Sequence, residues 1–553
     1  MKKINTDVKY IFLKWVILAL LVIPAFAHHG NLILDCGREV YYPTQILLGK
    51  VLYKDLFNIY GPFSYMFNAL LFRLFGTNLN VLYITGCLYA AMVSTMTYLI
   101  AKRFLSRFLS FTIAIFTISV GVLNVNLFNF IFPYSYAVLY GLLAFLISFW
   151  LLLKYTSSPE KMSYLYASCF FAGLSFSNKY EFLPYLFVIL YSIIRIKSLN
   201  FKNYFYSILS LLAVPVFCFS ILFLQGLRVE DLISTFGILN KIASSETLKY
   251  FYSTQGVAFT AKTLPFLAIN FLKTIVPLGL LLLVFKKITN KLVSFTLILV
   301  SLYLMVFFTN PASFAFFPIL IVALAVLDFK NLKHNKPLLI LTLSAILVSF
   351  KSFWGLATLN YGAFFISFLL TAVLALLADK YKTKNINFTL VGVYILIVSA
   401  ILGVQNLASL NEKNQLISTP RGKIYTTKYL YSATNDLIKY IKTNTKKTDT
   451  VVVFPEGPFI NFLTDRKSDN YYNSLIPLYV EVFGEENIIR HFKKTKPEYI
   501  IFNNWDSKDY YFSYICSDYA VSFCNFVAKN YTQEKVIDKG FRYLIFKSKF
   551  KPK

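Results

Sequence analysis

Charge is scarce in this chain, and acid is scarcer than base. Of 553 residues only 15% are charged, 26 acids stand against 55 bases, and 57% are hydrophobic. A water-soluble domain of this size has no single core large enough to hide that much apolar surface, which excludes the ordinary globular classes. No P-loop is present, which disfavours ATP-driven transport, and there is no internal repeat or low-complexity segment. Cysteine is also sparse. Cys87, Cys169 and Cys218 fall in apolar segments, where a thiol serves as a small buried hydrophobe. Cys516 and Cys524 lie in a polar region, and a disulfide or two free thiols are equal alternatives there. The adjacent pair His28-His29 has no clear third ligand and makes a poor metal site.

What is abundant is the apolar run. A bilayer core about 30 Å thick needs ~20 mainly apolar residues per spanning helix. Segments of that kind centre on 11–27, 81–100, 109–126, 137–153, 163–178, 182–194, 204–225, 264–285, 292–309, 315–328, 337–350, 361–378 and 388–404. The chain therefore reads as a polytopic α-helical membrane protein of about 13 spans. Its basic residues give an independent check. Lys2, Lys3, Lys9 and Lys14 precede the first span, and every second loop thereafter is basic: Lys102, Arg103 and Arg107; Lys154 and Lys161; Arg195, Lys197 and Lys202; Lys286, Lys287 and Lys291; Lys330, Lys333 and Lys336; Lys380, Lys382 and Lys384. Loops rich in lysine and arginine face the cytoplasm, so the N-terminus is expected inside and the C-terminus outside. The formal charge of +29 is then matched to anionic lipid, and nucleic acid is not expected as a partner. Lysines, an apolar run and Ala25-Phe26-Ala27 also mimic a cleavable secretory signal. An uncleaved span is preferred, because the charged loop after it needs tethering to the bundle.

Two regions are expected on this topology: residues 1–404 form the membrane domain, with a first outer loop at 28–80, and residues 405–553 form an extracytoplasmic α/β domain. The second region is polar, rich in lysine and tyrosine, and alternates helical patterns (435–444, 485–494) with β-rich runs, VVVF at 451–454, YIIF at 499–502 and YLIF at 543–546. In the first loop, 40–53 and 61–76 look like short interfacial helices, and the helical pattern in 229–252 could lie beside them.

The densest polar signal is the stretch Leu34 to Tyr65, which sets Asp35, Glu39 and Asp55 beside Arg38, Lys50 and Lys54 and a run of tyrosines. Asp35 follows the apolar NLIL and should sit at the membrane boundary; an interfacial acid paired with Arg38 and a catalytic carboxylate are both open readings. Glu456 follows the strand VVVF, where sites collect, and a turn-stabilising role is equally open. Tyr53 and Tyr60 read as interfacial anchors or as sugar contacts.

The pattern D-x-G-R-E at Asp35 to Glu39, then Tyr41-x-Pro43, GKVLYKDLF from Gly49 and YGPFSY from Tyr60, resembles the first outer loop of bacterial C-class membrane glycosyltransferases (a GT-C-like fold). Within that class it is similar to the protein O-mannosyltransferases and the aminoarabinose transferases of lipid A. The resemblance extends to GLSFSNKYE (Gly173 to Glu181), RGKIY (Arg421 to Tyr425) and PEGPFINFLTDR (Pro455 to Arg466). It implies transfer of a sugar from a polyprenyl-phosphate carrier to a lipid, glycan or protein acceptor at the outer face of the cytoplasmic membrane, inverting, with the first-loop acid as base. Asp35 is the expected base, Lys54 and Lys179 the leading cations for the lipid phosphate with Arg38 behind them, and Tyr60 and Glu456 further substrate contacts. Many relatives carry two adjacent acids where this chain has Asp35-Cys36, so the second acid is Glu39 or Asp55, or is dispensable, and a divalent metal ion stays open. A lipid-linked sugar flippase should place polar groups along mid-membrane helices. An O-antigen ligase or polymerase should use a large central loop instead.

Overall fold

The computed structural model describes residues 6–124, 127–195, 200–310, 312–354, 362–382 and 387–550. Lys2, Lys3, Lys197 and Lys384, among the basic residues named above, lie outside them, as do the last two residues of the expected span 109–126, the first of 361–378 and the last three of the expected domain 405–553. Each of the thirteen expected spans coincides with a helix. Among the described residues eight helices are long and apolar enough to cross a membrane, from Asp7–Ala25 to Phe388–Leu410. The other five expected spans form shorter apolar helices: Arg107–Gly121, Met162–Phe176, Tyr180–Ile194, Phe317–Leu327 and Lys336–Val348. The chain is a helical membrane protein.

These helices start where the sequence offers a cap. The side chains of Asn78, Ser106, Asn200, Asn290 and Asn335 each accept a backbone N–H of the first turn. Pro215 and Pro277 sit inside spans without ending them. Tyr136–Ser157 and Gly362–Lys380 are buried along most of their length and form the middle of the bundle, whereas the first and Lys291–Phe308 helices expose most of theirs to the lipid zone. Lys14, expected before the first span, lies inside it: the helix starts at Thr6, and the ammonium is buried against the Thr95 hydroxyl at 2.5 Å. A four-carbon stem lets the charge travel to a polar partner on the next helix.

The first loop forms the helices Cys36–Leu47 and Phe63–Phe75. The expected helix over 40–53 begins earlier and stops at Gly49, whose φ of +84° suits a residue without Cβ. The C-terminal domain holds a hairpin, β1 (Gln415–Thr419) with β2 (Gly422–Thr426), and a mixed sheet. Its order is β3 (Val451–Phe454), β4 (Tyr499–Asn503), β6 (Phe541–Ser548) and β5 (Tyr531–Lys539); β3 runs parallel to β4 and the other pairs are antiparallel. The period of two sorts the side chains. Val451, Val453, Tyr499 and Ile501 join the core with the helix Lys428–Asn444. Val452, Phe454, Ile500 and Phe502 join a second core with the helices Glu485–Thr495 and Val521–Asn530.

That second core also takes Phe57 from the first loop and Ile238, Ile242 and Leu248 from the loop at 226–262. The latter forms the helices Val229–Ser244 and Glu246–Thr254, and Ser245 donates to Glu481 at 2.8 Å. First loop, 226–262 loop and C-terminal domain therefore meet on one face of the bundle. Cys516 and Cys524 are bridged.

Candidate active site

Asp35 is held in place by its backbone. Asn31 accepts the N–H groups of Ile33 and Leu34 at 2.8 and 3.0 Å, which closes a turn and delivers the chain to the N-cap of helix Cys36–Leu47. Asp35 takes a φ of +50°, an uncommon conformation for a residue with a side chain. Its N–H then points at the C-terminal domain and donates to the Glu456 carboxylate at 3.0 Å. Its own carboxylate, 35% exposed, accepts from the guanidinium of Arg38 one turn along.

Glycines bring these segments together. A Cβ on Gly37 would lie 2.6 Å from the Phe459 nitrogen, so the D-x-G-R-E turn seats directly on the start of helix Pro458–Thr464. A Cβ on Gly61 would lie 2.0 Å from the Ser177 carbonyl oxygen, and Gly61 N–H donates to the Asn178 carbonyl at 2.9 Å. The YGPF segment is thereby locked to the SNKYE turn. Tyr60 follows, its ring between the Arg38 guanidinium at 5.6 Å and the Lys179 ammonium at 4.9 Å from the centroid.

These residues border a cavity of about 220 Å³. Asp35, Arg38, Tyr60 and Glu456 line it with Lys351 and Tyr180, and Trp505, Asp506, Ser507, Asp509, Tyr510 and the helix Glu246–Thr254 add to the lining. Lys351 binds the Glu181 carboxylate at 2.5 Å, and the same carboxylate pairs at 3.2 Å with Lys179, which is fully buried and donates to the Tyr134 hydroxyl. Two cations thus share one acid, and Lys351 is the member that reaches the cavity. Burial lowers the Lys179 ammonium to about 8, with Glu181 opposing.

Burial, then the charge of Asp35, pushes the Glu456 carboxyl up to about 7. Burial works against the charge on Arg38, and Asp35 together with Tyr60, Tyr479 and Tyr65 outweighs it. The Nε of Arg38 has no hydrogen-bond partner among the described residues.

The structure does not gather every residue the sequence nominated. Glu39 is buried and turned away from the cavity, accepting the Tyr136 N–H at 2.8 Å and the Tyr65 hydroxyl at 3.1 Å; burial first of all brings it up to about 7. Asp55 accepts the Val51 N–H at 2.8 Å and closes its own turn. Lys54 is exposed and donates to the Gly226 carbonyl at 3.0 Å. Lys54 and Asp55 border a different recess with Lys50 and Asp469. The acid that the structure sets beside Asp35 is Glu456. An acid at position 36 would have been sealed into the core, where Cys36 instead faces the Pro133 carbonyl. Sequence reasoning missed Lys351, Trp505 and Tyr252. Lys351 left a trace: it is a lone lysine after the span 337–350, in a loop that the basic alternation assigns to the non-basic face.

No group of three or more His, Cys, Asp or Glu among the described residues is placed to hold a metal ion, and Arg38 engages the Asp35 carboxylate. The residues here do not fit a divalent ion held by protein ligands. His28 and His29 diverge: His28 stacks on Tyr425 at 4.1 Å, and His29 binds the Val122 carbonyl at 2.7 Å.

No protein-family model and no curated protein matches this chain. Solved structures do. The chain is similar to ArnT from Cupriavidus metallidurans, bound there to undecaprenyl phosphate, with a TM-score of 0.50 and 9% identity over 97% of this chain and 98% of that one. It is similar to the Archaeoglobus fulgidus oligosaccharyltransferase in its apo form, with a TM-score of 0.50 and 13% identity over 92% of this chain and 71% of that one. The likeness is one of fold: the GT-C-type fold of membrane glycosyltransferases.

Proposed function

We propose that this chain, built on the GT-C fold, transfers a sugar from a polyprenyl-phosphate carrier to a hydroxyl acceptor, with Asp35 as the base. The observation that carries the reading is the meeting of Asp35, Glu456 and Arg38 with Lys351 on one cavity. A carboxylate positioned for proton transfer stands there beside cations placed for a phosphate.

The acceptor oxygen attacks the anomeric carbon, its proton passes to Asp35, and the bond from that carbon to the phosphate oxygen breaks with its electron pair leaving on the lipid phosphate. Such a positioned base contributes roughly 10²–10⁴-fold. The growing phosphate charge is met by Lys351 and Arg38, whose placement is fixed before reaction by Glu181, Asp35 and the Tyr60 ring. Lys179 acts from below, holding Glu181. Glu456 positions Asp35 by accepting its N–H, and shares Arg38 with it electrostatically. Direct displacement inverts the sugar linkage.

The basic loops support an N-terminus on the cytoplasmic side of the cytoplasmic membrane, and the bridge Cys516–Cys524 suits an oxidising compartment for the C-terminal domain. A reporter fused after residue 553 tests that orientation. For the reaction, the purified chain is given a short polyprenyl-phosphate sugar and candidate acceptors without ATP or nucleotide sugar. Acceptor-dependent release of polyprenyl phosphate with inverted product is expected. Movement of intact lipid-linked sugar between leaflets of proteoliposomes, with no release, overturns the reading in favour of a transporter.

A further inference from the structure

The cavity is not uniform in charge. Its two cations, Arg38 and Lys351, are matched in number by the acids Asp35 and Glu456, whereas the rest of its charged lining is acidic and accompanied by aromatic rings. The segment after β4 contributes Trp505, Asp506, Asp509 and Tyr510, and Tyr252 comes from the helix Glu246–Thr254, which packs against that segment. The only base in that segment, Lys508, is held by Asp506 at 2.8 Å and is 76% exposed, which leaves the segment with an acidic excess.

This part of the lining is built stiffly. Ser507 N–H donates to the Ser513 carbonyl at 2.7 Å, and the Asp518 carboxylate accepts the N–H groups of Ser513 and Tyr514 at 2.7 and 3.1 Å. The bridge Cys516–Cys524 ties the end of the same loop to the helix Val521–Asn530. Tyr510 stacks on Phe251 at 4.7 Å and 9°, and Thr254 donates to the Asp509 carbonyl at 3.3 Å, which joins this loop to the helix Glu246–Thr254. A ligand meeting such a wall loses little free energy to ordering it.

We infer that the acceptor is an uncharged saccharide, which lies against Trp505 and Tyr252 and gives hydroxyl hydrogens to the carboxylates of Asp506 and Asp509. This rests on the transferase reading. A pyranose ring offers an apolar face of C–H groups for an indole or phenol ring and a rim of hydroxyl donors for carboxylates, which accept only. A phosphorylated or uronic-acid acceptor would face like charge at the acidic wall, an unfavourable pairing. The cations that could offset it are those the lipid phosphate needs.

The test uses the full chain in detergent with farnesyl phosphate present, applied to an immobilised array of neutral, uronic-acid and phosphorylated oligosaccharides and a serine- and threonine-rich peptide. Neutral oligosaccharides are expected to bind, and Trp505→Ala and Asp509→Ala to weaken them at least tenfold. Trp505→Phe, which keeps an aromatic face, should hold most of the affinity and guards against misfolding as the cause. Farnesyl phosphate affinity, measured separately by calorimetry, should be unchanged in all three. Binding confined to charged oligosaccharides or to the peptide, absence of oligosaccharide binding, or indifference to Trp505→Ala overturns the inference. Failure of the unmodified chain to bind farnesyl phosphate would count against the donor reading instead, so the two can fail separately.

Discussion

The two sides of the first loop carry similar residues and do different things. On one side Asp35 gives its N–H to Glu456, Arg38 pairs with Asp35, and the Tyr60 ring meets the Lys179 ammonium, all around one cavity. On the other side Lys50 pairs with Asp469 at 2.8 Å, Lys54 reaches a carbonyl, and Asp55 closes a turn four residues long, all at the edge of solvent. Exposed ion pairs of that kind contribute about 0–1 kcal/mol. Local density of charge marks the loop as unusual; only the identity of the partners separates the side that can act from the side that merely folds.

The comparison breaks most sharply at Asp35. Asp35→Asn is expected to lower single-turnover transfer by roughly 10²–10⁴-fold with donor saturating, while expression and membrane insertion hold. A near-normal rate removes Asp35 from the proposed chemistry. Next in size, Lys351→Ala should weaken polyprenyl-phosphate binding by about tenfold or more, the scale of a lost hydrogen bond to a charged group. Calorimetry with farnesyl phosphate reads this, and equal losses in Lys54→Ala would erase the distinction between the two sides.

Glu456 gives a subtler signature. Its folded pKa of about 7 lies above the ordinary 4.5, so the folded state holds that proton more tightly. The corresponding stability is fully present below pH 4.5 and is lost as pH rises to about 7. In Glu456→Gln the amide oxygen still accepts the Asp35 N–H, but the inflection near pH 7 in rate should vanish, and that in melting temperature should shrink to the share of Glu39, whose carboxyl is also raised to about 7. An unchanged inflection assigns it to another group. Smallest of all, Lys54→Ala and Lys333→Ala should shift stability by no more than about 0.5 kcal/mol and leave donor affinity untouched.

The spans were legible because hydropathy is a local property, and each expected segment corresponds to a helix. The strands VVVF and YIIF were legible for the same reason: all four residues of β3 and all five of β4 are buried. β5 was not, since its run YTQEKVIDK shows a buried residue only at Tyr531 and Ile537 and reads as polar surface. Within the site, Asp35 and Arg38 could be nominated from their setting, and Glu456 as a residue beyond a strand. Their meeting could not be seen, because it depends on a glycine contact at Gly37 and a positive φ at Asp35. Glu39 illustrates the converse: an acid one helical turn from Asp35 looked like its partner, yet the helix turns it inward to Tyr65 and Tyr136.

The bond from Asp35 to Glu456 joins residues 421 positions apart. At roughly 5–20 residues per second, a ribosome needs about 20–80 s to make the second after the first. During that interval the leading spans are already available to lipid, with the acid of the first loop still lacking the group that orients it. On the proposed function the nascent chain is thus unarmed while it is being threaded into the bilayer, and lipid-linked sugar that drifts past meets no finished reaction centre until the last quarter of the chain has emerged and seated.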